Sequence, residues 1–161
     1  MKGYPLGRLL ALREHREKKA RAEVGRRRRL LAEAEAEAKQ AELTAKEYAE
    51  RRPQEEAALF ARIRNQVLER KQLDSYHEAI AALAEKELEL FEKAEEAWKA
   101  VRQCEEELKQ AVQEHAATVR EVQKFEEHRT IWWREEKKRR EDVQELEAEE
   151  AATSAAVRRA K

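Results

Sequence analysis

The chain has 161 residues, of which 43% are charged and 6% aromatic, and its formal net charge is zero. This composition, dominated by Ala, Glu, Lys, Leu and Arg, is typical of long helices and coiled coils and provides few aromatic side chains for a globular core. Zero net charge excludes bulk attraction to polyanions as the main binding force. No stretch approaches the roughly 18 apolar residues of a membrane span.

Residues that commonly allow a chain to turn are almost confined to the N-terminus. All three glycines, Gly3, Gly7 and Gly25, lie within the first 25 residues, and Pro53 is the only proline after Pro5. Because glycine and proline are the strongest signals for turns, the chain after Gly25 is predicted to be long helix. The single cysteine, Cys104, cannot form an intrachain disulfide.

Helix 1 is predicted over about residues 5–66. Its apolar residues, among them Val24, Leu31 and Tyr48, recur with the alternating three-and-four spacing of a heptad seam, which packs against one partner helix. Many seam positions are alanine, so the partner helix can approach closely. We expect a kink or a restart at Pro53, because proline is tolerated in the first turn of a helix.

The reversal of the chain is predicted near residues 65–74. Asn65, Asp74 and Ser75 form the only cluster of capping or turn residues in the middle of the sequence. Asp74 or Ser75 can N-cap the second helix. Helix 2 is therefore predicted over about residues 74–158.

The seam of helix 2 completes the predicted fold. It repeats the spacing of the first seam, so we expect an all-α, antiparallel two-helix coiled-coil hairpin that forms a single domain over residues 1–161. Pairing about the predicted tip brings Tyr4 to Trp132 and Tyr48 to Phe91, and leaves a C-terminal overhang beyond about Arg134. The predicted hairpin core is Val24, Leu31, Tyr48, Leu90, Phe91, Trp98, Val101, Leu108, Val122, Phe125 and Trp132.

The sequence predicts no catalytic, metal or cofactor site. His15, His77, His115 and His128 are too scattered to form a ligand set. Acidic residues are abundant, but a pair of helices offers no cleft that would shift their pKa values. We therefore expect a protein that is not an enzyme, has no cofactor and binds no small-molecule ligand.

Two local features leave alternatives open. The run Arg26–Arg29 is interpreted as a solvated face of the coiled coil, in preference to a nucleic-acid contact, because no aromatic stacking platform accompanies it. Trp132 and Trp133 point about 100° apart on a helix. They either close the open end of the hairpin or form part of a partner contact, since tryptophan is enriched at binding hot spots.

Four short segments carry a family resemblance. They are the start at Tyr4–Leu6, the segment Tyr48–Phe60 around Pro53, the segment Leu73–Ile80 after the tip, and Lys124–Glu127. Their order resembles the YscO/FliJ family, the central-stalk proteins of type III secretion and flagellar export systems. The Pro53 segment favours the injectisome branch.

The resemblance implies a function and a set of contacts. Family members are non-enzymatic, cytoplasmic stalks at the periphery of the inner-membrane apparatus, similar to part of the rotary ATPase γ subunit. They link and stimulate a hexameric secretion ATPase and face the cytoplasmic ring of the export gate, and some bind chaperones or the needle-length regulator. The implied ATPase-pore contacts are Arg8, Arg13, Arg16, Arg134, Lys137 and Lys138. The implied export-gate contacts are Tyr76, Ala79, Ile80, Leu83 and Lys86.

Two other functions stay open on the sequence. A generic coiled-coil scaffold or adaptor would self-associate through the same seam. A basic helical arm would bind RNA or DNA with an affinity that falls steeply with salt; residues 1–30 carry 11 Lys or Arg against 3 Asp or Glu. We favour the stalk, for which no nucleic acid is expected among the partners.

Overall fold

The computed structural model describes residues 3–159 and contains two helices, α1 (Gly7–Ile63) and α2 (Arg70–Arg159). The helices pack together and the described residues include no strand, which confirms the predicted all-α hairpin. Contacts divide the chain into two compact units. Within the described residues, we call 3–22 with 113–159 the terminal unit, and Glu23–Val112 the tip unit.

Small apolar side chains form the core of the tip unit. Ala38 and Ala45 are fully buried, and Tyr48 exposes 2% of its surface. Val24 and Val101 are also buried and each contributes roughly 1.5–3 kcal/mol from removal of apolar area from water. The alanine-rich seam read from the sequence is thus the surface on which the two helices meet.

The remaining predicted core residues of the tip unit are less buried. Leu31, Leu90, Trp98 and Leu108 are half-buried. The placement of Phe91 in the core is wrong, because this side chain exposes 44% of its surface.

The register of the tip unit explains the error at Phe91. The Tyr48 hydroxyl donates a hydrogen bond to the Leu83 carbonyl at 3.3 Å, and the Lys86 ammonium lies 5.1 Å from the centre of the Tyr48 ring. Tyr48 therefore pairs with residues about one to two helical turns before Phe91. The prediction failed because the chain reverses earlier than the position about which the predicted pairing was centred.

The reversal occupies residues 64–69. Asn65 adopts a positive φ of 64°, a left-handed conformation that asparagine tolerates better than most residues. The Glu69 N–H donates to the Gln72 side-chain oxygen at 3.0 Å, which caps the start of α2 as in one half of a capping box. The predicted N-cap at Asp74 or Ser75 is wrong, since Ser75 donates to the Lys71 carbonyl inside α2.

Pro53 lies inside α1, which continues through it to Ile63. The helix therefore does not restart at Pro53, and a bend there stays a prediction. Proline lacks an N–H, so the helix loses the hydrogen bond that residue 53 would donate to Ala49.

In the terminal unit, α1 begins after a turn in which the Gly7 N–H donates to the Tyr4 carbonyl at 3.1 Å. Leu10 is buried, while Val122, Phe125 and Trp132 are half-buried. All α2 residues from 141 to 159 are exposed. The predicted C-terminal overhang therefore has no covering partner over these residues.

Candidate interaction surfaces

An aromatic cluster joins the N-terminal segment to α2 in the terminal unit. The Tyr4 hydroxyl lies 2.8 Å from His128 Nδ1 and 3.4 Å from the Phe125 carbonyl. The Tyr4 ring also meets Trp132 edge-on, with 5.8 Å between ring centres. Aromatic pairs in this geometry stabilise by about 0.5–1.5 kcal/mol beyond burial. The predicted meeting of Tyr4 with Trp132 is confirmed.

The two adjacent tryptophans have different surroundings. Trp132 contacts Tyr4, whereas Trp133 packs edge-on against Trp132 at 4.7 Å and exposes 38% of its surface. Trp132 therefore closes the contact with the N-terminal segment, and a partner contact at Trp133 stays a prediction.

A polar layer crosses the terminal unit at Glu17. This carboxylate exposes only 9% of its surface and accepts hydrogen bonds from His115 Nε2 at 2.8 Å and from Arg21 Nε at 3.1 Å. The hydrogen bond from His115, together with the charge of Arg21, holds the pKa of Glu17 below its usual range against the opposing effect of burial. Glu17 is the buried charged side chain among the described residues, and its partners neutralise it.

Four cations line one groove between the helices of the terminal unit. A cleft of about 230 Å³ is bordered by Arg13 and Arg16 of α1, by Arg120 and Lys124 of α2, and by one carboxylate, Glu121. We call this surface the cationic groove; Ala117 and Thr118 complete its lining.

One carboxylate forms ion pairs with two of those four cations. Glu121 lies 3.6 Å from Arg13 and 3.5 Å from Lys124. Arg16 and Arg120 are exposed and form no ion pair within residues 3–159. The groove therefore carries a local excess of positive charge although the chain as a whole is neutral.

Two of the six predicted ATPase contacts line the cationic groove and four do not. Arg13 and Arg16 share the cationic groove, and the Arg13 guanidinium also lies 5.9 Å above the Phe125 ring. The other four, Arg8, Arg134, Lys137 and Lys138, are exposed residues of the terminal unit that do not line that groove. Lys137 forms an ion pair with Glu141 at 3.7 Å.

The predicted export-gate contacts lie on the side of α2 that packs against α1. Leu83 and Lys86 contact Tyr48 directly. Tyr76, Ala79, Ile80 and Leu83 are all half-buried, and only Lys86 of the five is exposed. A partner would contact only the exposed edges of these half-buried side chains.

More exposed apolar side chains border the turn of the tip unit. Phe60 exposes 53% of its surface, Leu73 exposes 41%, and Val67 in the turn is fully exposed. None of these three side chains was predicted from the sequence to be a contact site. Phe60 follows Leu59, which is half-buried, by one position and so points to a different side of α1; this offset was the signal available in the sequence.

Two side chains of the Arg26–Arg29 run form ion pairs. Arg26 and Arg27 both bind Glu23, and Arg27 also forms an ion pair with Glu107 of α2. Hydrogen bonds from Arg26 and Arg27 lower the pKa of Glu23 to about 2. Arg28 and Arg29 are exposed. Arg27 therefore links the two helices, whereas, among residues 3–159, Arg26 pairs only within α1.

No group of three or more histidine, cysteine or acidic side chains with the arrangement of a metal site occurs within residues 3–159. No helix in the same range is long and apolar enough to cross a membrane.

The fold and these surfaces define an all-α helical hairpin whose polar contacts are mostly between exposed or half-exposed side chains. Comparison with known proteins gives the family. The sequence matches the family model of type III secretion protein YscO over residues 6–154, so the chain belongs to the YscO family.

A solved structure supports that assignment. The crystal structure of type III secretion protein YscO from Vibrio parahaemolyticus is 30% identical in sequence, with a TM-score of 0.84 over 90% of this chain and 91% of that chain. A search of curated protein sequences gave no match. The resemblance predicted from the sequence is confirmed, and the chain is a type III secretion protein.

Proposed function

We propose that this protein is the non-enzymatic central stalk of a type III secretion system, cytoplasmic and peripheral to the inner-membrane apparatus. It links and stimulates a hexameric secretion ATPase and contacts the export gate. The observation that carries the proposal is the match to the YscO family across nearly the whole chain, on a two-helix hairpin.

The side-chain chemistry supports a role in binding without catalysis. Catalytic acids and bases usually depend on burial to reach a useful pKa. Glu17, the buried carboxylate of the described residues, has its hydrogen bonds taken by His115 and Arg21. These hydrogen bonds give Glu17 a structural role.

The mechanism of the stalk follows from its asymmetry. A single hairpin within a ring of six identical subunits cannot make the same contact with each of them. It favours the nucleotide state of the subunits it touches, and so promotes assembly and turnover by differential binding. The exposed cations of the terminal unit, including Arg8 and Lys138, provide charges for that contact.

The first experiment is ATP hydrolysis by the cognate secretion ATPase with and without this protein. We expect co-purification and stimulated turnover. The double variant Arg8→Glu and Lys138→Glu reduces the stimulation, whereas Lys39→Glu with Arg102→Glu, which places the same charge change on exposed residues of the tip unit, leaves it unchanged. A folded protein that neither binds nor stimulates the ATPase contradicts the stalk.

The export-gate contact is tested separately with the cytoplasmic domain of the gate protein. We expect binding to weaken in Tyr76→Ala, and the matched control is Leu43→Ala, another apolar truncation in the tip unit, at a side chain that exposes 50% of its surface. Equal effects of the two variants would assign the loss to the tip unit in general and remove the specific gate face. Chaperone or needle-length-regulator binding is assayed in the same format.

A further inference from the structure

We propose that the cationic groove of the terminal unit is the docking site for an acidic, leucine-bearing helical segment of a partner protein. This inference deepens the proposed function, because Arg13 and Arg16 belong to the predicted ATPase contact. It assigns the part of that contact formed by Arg13 and Arg16 to one groove and states the chemistry of the occupant. Binding of such a segment can be measured without the ATPase, so the two proposals can fail independently.

Charge on the groove sets the chemistry of the occupant. Four cations surround the cleft with one carboxylate between them, and Arg16 and Arg120 have no ion-pair partner within residues 3–159. Guanidinium groups bind carboxylates with two parallel hydrogen bonds, which gives both strength and orientation. Arg16 and Arg120 contribute from opposite sides of the cleft, so they can bind two acidic side chains of one segment.

Apolar side chains one helical turn from the groove favour a polypeptide as its occupant. Leu9 and Leu12 precede Arg13 and Arg16 by four residues each and so lie one turn away on the same face of α1. They expose 46% and 45% of their surfaces. A helix with acidic and leucine side chains on one face would cover both the cations and these leucines, whereas a phosphate polyanion would leave the leucines in water.

The opposite groove of the same unit has a different charge. It is bordered by three carboxylates, Glu14, Glu17 and Glu126, and by two cations, Lys18 and Arg21. On a helix, Arg16 and Lys18 are about 200° apart, which places them on different sides of α1. An acidic segment is therefore attracted to one groove and repelled by the other.

The difference in charge between the two grooves provides a matched pair of variants. Arg16 and Lys18 are exposed cations of α1, two residues apart, and neither forms an ion pair among the described residues. Arg16→Glu and Lys18→Glu change the net charge equally, but only Arg16→Glu places a carboxylate in the cationic groove. The pair separates a specific contact from a general effect of charge.

The test uses the full chain and a fluorescein-labelled synthetic amphipathic peptide of glutamate and leucine, followed by fluorescence anisotropy at about 50 mM salt, where screening is weak. We expect wild-type protein to bind the peptide, Arg16→Glu to weaken binding about tenfold, and Lys18→Glu to leave it within about twofold. Circular dichroism establishes that both variants keep their helix content.

Three results would overturn the proposal. The first is absence of binding to wild-type protein, and the second is equal weakening by both variants, which would reduce the effect to net charge. The third is binding of a labelled oligothymidylate, or of vesicles of anionic phospholipid, as tightly as the peptide, with this binding lost in Arg16→Glu. The groove would then be a general polyanion site. Stimulation of the ATPase without peptide binding would retain the stalk and remove this groove from its mechanism.

Discussion

The side chains that are buried between the helices of the tip unit are apolar, whereas a charged side chain is buried in the terminal unit. Ala38, Ala45 and Tyr48 form the buried contact of the first unit, while Glu17 is buried in the second, where Tyr4 uses its hydroxyl as well as its ring. Apolar contacts are non-directional and depend on buried area. Hydrogen-bonded contacts depend on geometry and on protonation, so the units should respond differently to truncation and to acid.

The largest expected difference is between the two tyrosines. Tyr48→Ala removes a side chain that exposes 2% of its surface, so we expect a loss of about 3 kcal/mol in the free energy of unfolding. Tyr4→Ala removes a half-buried ring and a hydrogen bond to α2, and should cost about 1 kcal/mol. Urea denaturation measures both losses, and hydrogen exchange assigns each to its unit.

A control identifies the physical cause in the tip unit. Tyr48→Phe keeps the ring and removes only the hydroxyl that donates to Leu83, so it should cost about 1 kcal/mol. If Tyr48→Phe is as damaging as Tyr48→Ala, the tip unit depends on polar contacts as the terminal unit does, and the proposed difference between the units is wrong.

A smaller effect is expected at the turn of the tip unit. Asn65 has a positive φ, and replacing it with alanine should destabilise the protein by about 1 kcal/mol, because a Cβ without a polar side chain is disfavoured in this conformation. Asn65→Gly should be neutral or slightly stabilising, since glycine adopts positive φ without steric cost. Thermal unfolding of the pair measures this, and equal behaviour of alanine and glycine would contradict the role of the backbone conformation.

Periodicity was sufficient to predict the hairpin but not its register. The three-and-four spacing identified both seams because burial selects for it along the whole helix. The turn was placed too late because Asp74 and Ser75 are common capping residues, whereas Asn65 turns the chain and Gln72 caps α2. A turn without glycine gives a weak local signal.

The polar residues that interrupt the seams could have been paired with one another. On α2, His115 and Glu87 break the apolar spacing, and the structure partners them with Glu17 and Arg52 of α1. Glu17 stands seven residues before Val24, one heptad back along the same seam. Matching the interruptions on the two helices would have given the register, and with it the polar layer of the terminal unit. The cationic groove could not be predicted from the sequence, because its four cations come from two segments that are far apart in the chain.

The smallest predicted effect concerns acid. The pKa of Glu17 is lowered in the folded protein, so its contribution to stability is present above the unfolded-state value of 4.5 and is lost as pH falls through the folded value. We expect amides of the terminal unit around His115 to lose hydrogen-exchange protection over that range. Glu17→Gln should remove this part of the pH dependence, because the amide does not titrate, while Glu127→Gln, at an exposed carboxylate of the same unit, should preserve it. If both variants keep the wild-type pH profile, the Glu17–His115 layer does not contribute to the stability of the terminal unit, and the contrast with the apolar tip unit has to rest on Tyr4 alone.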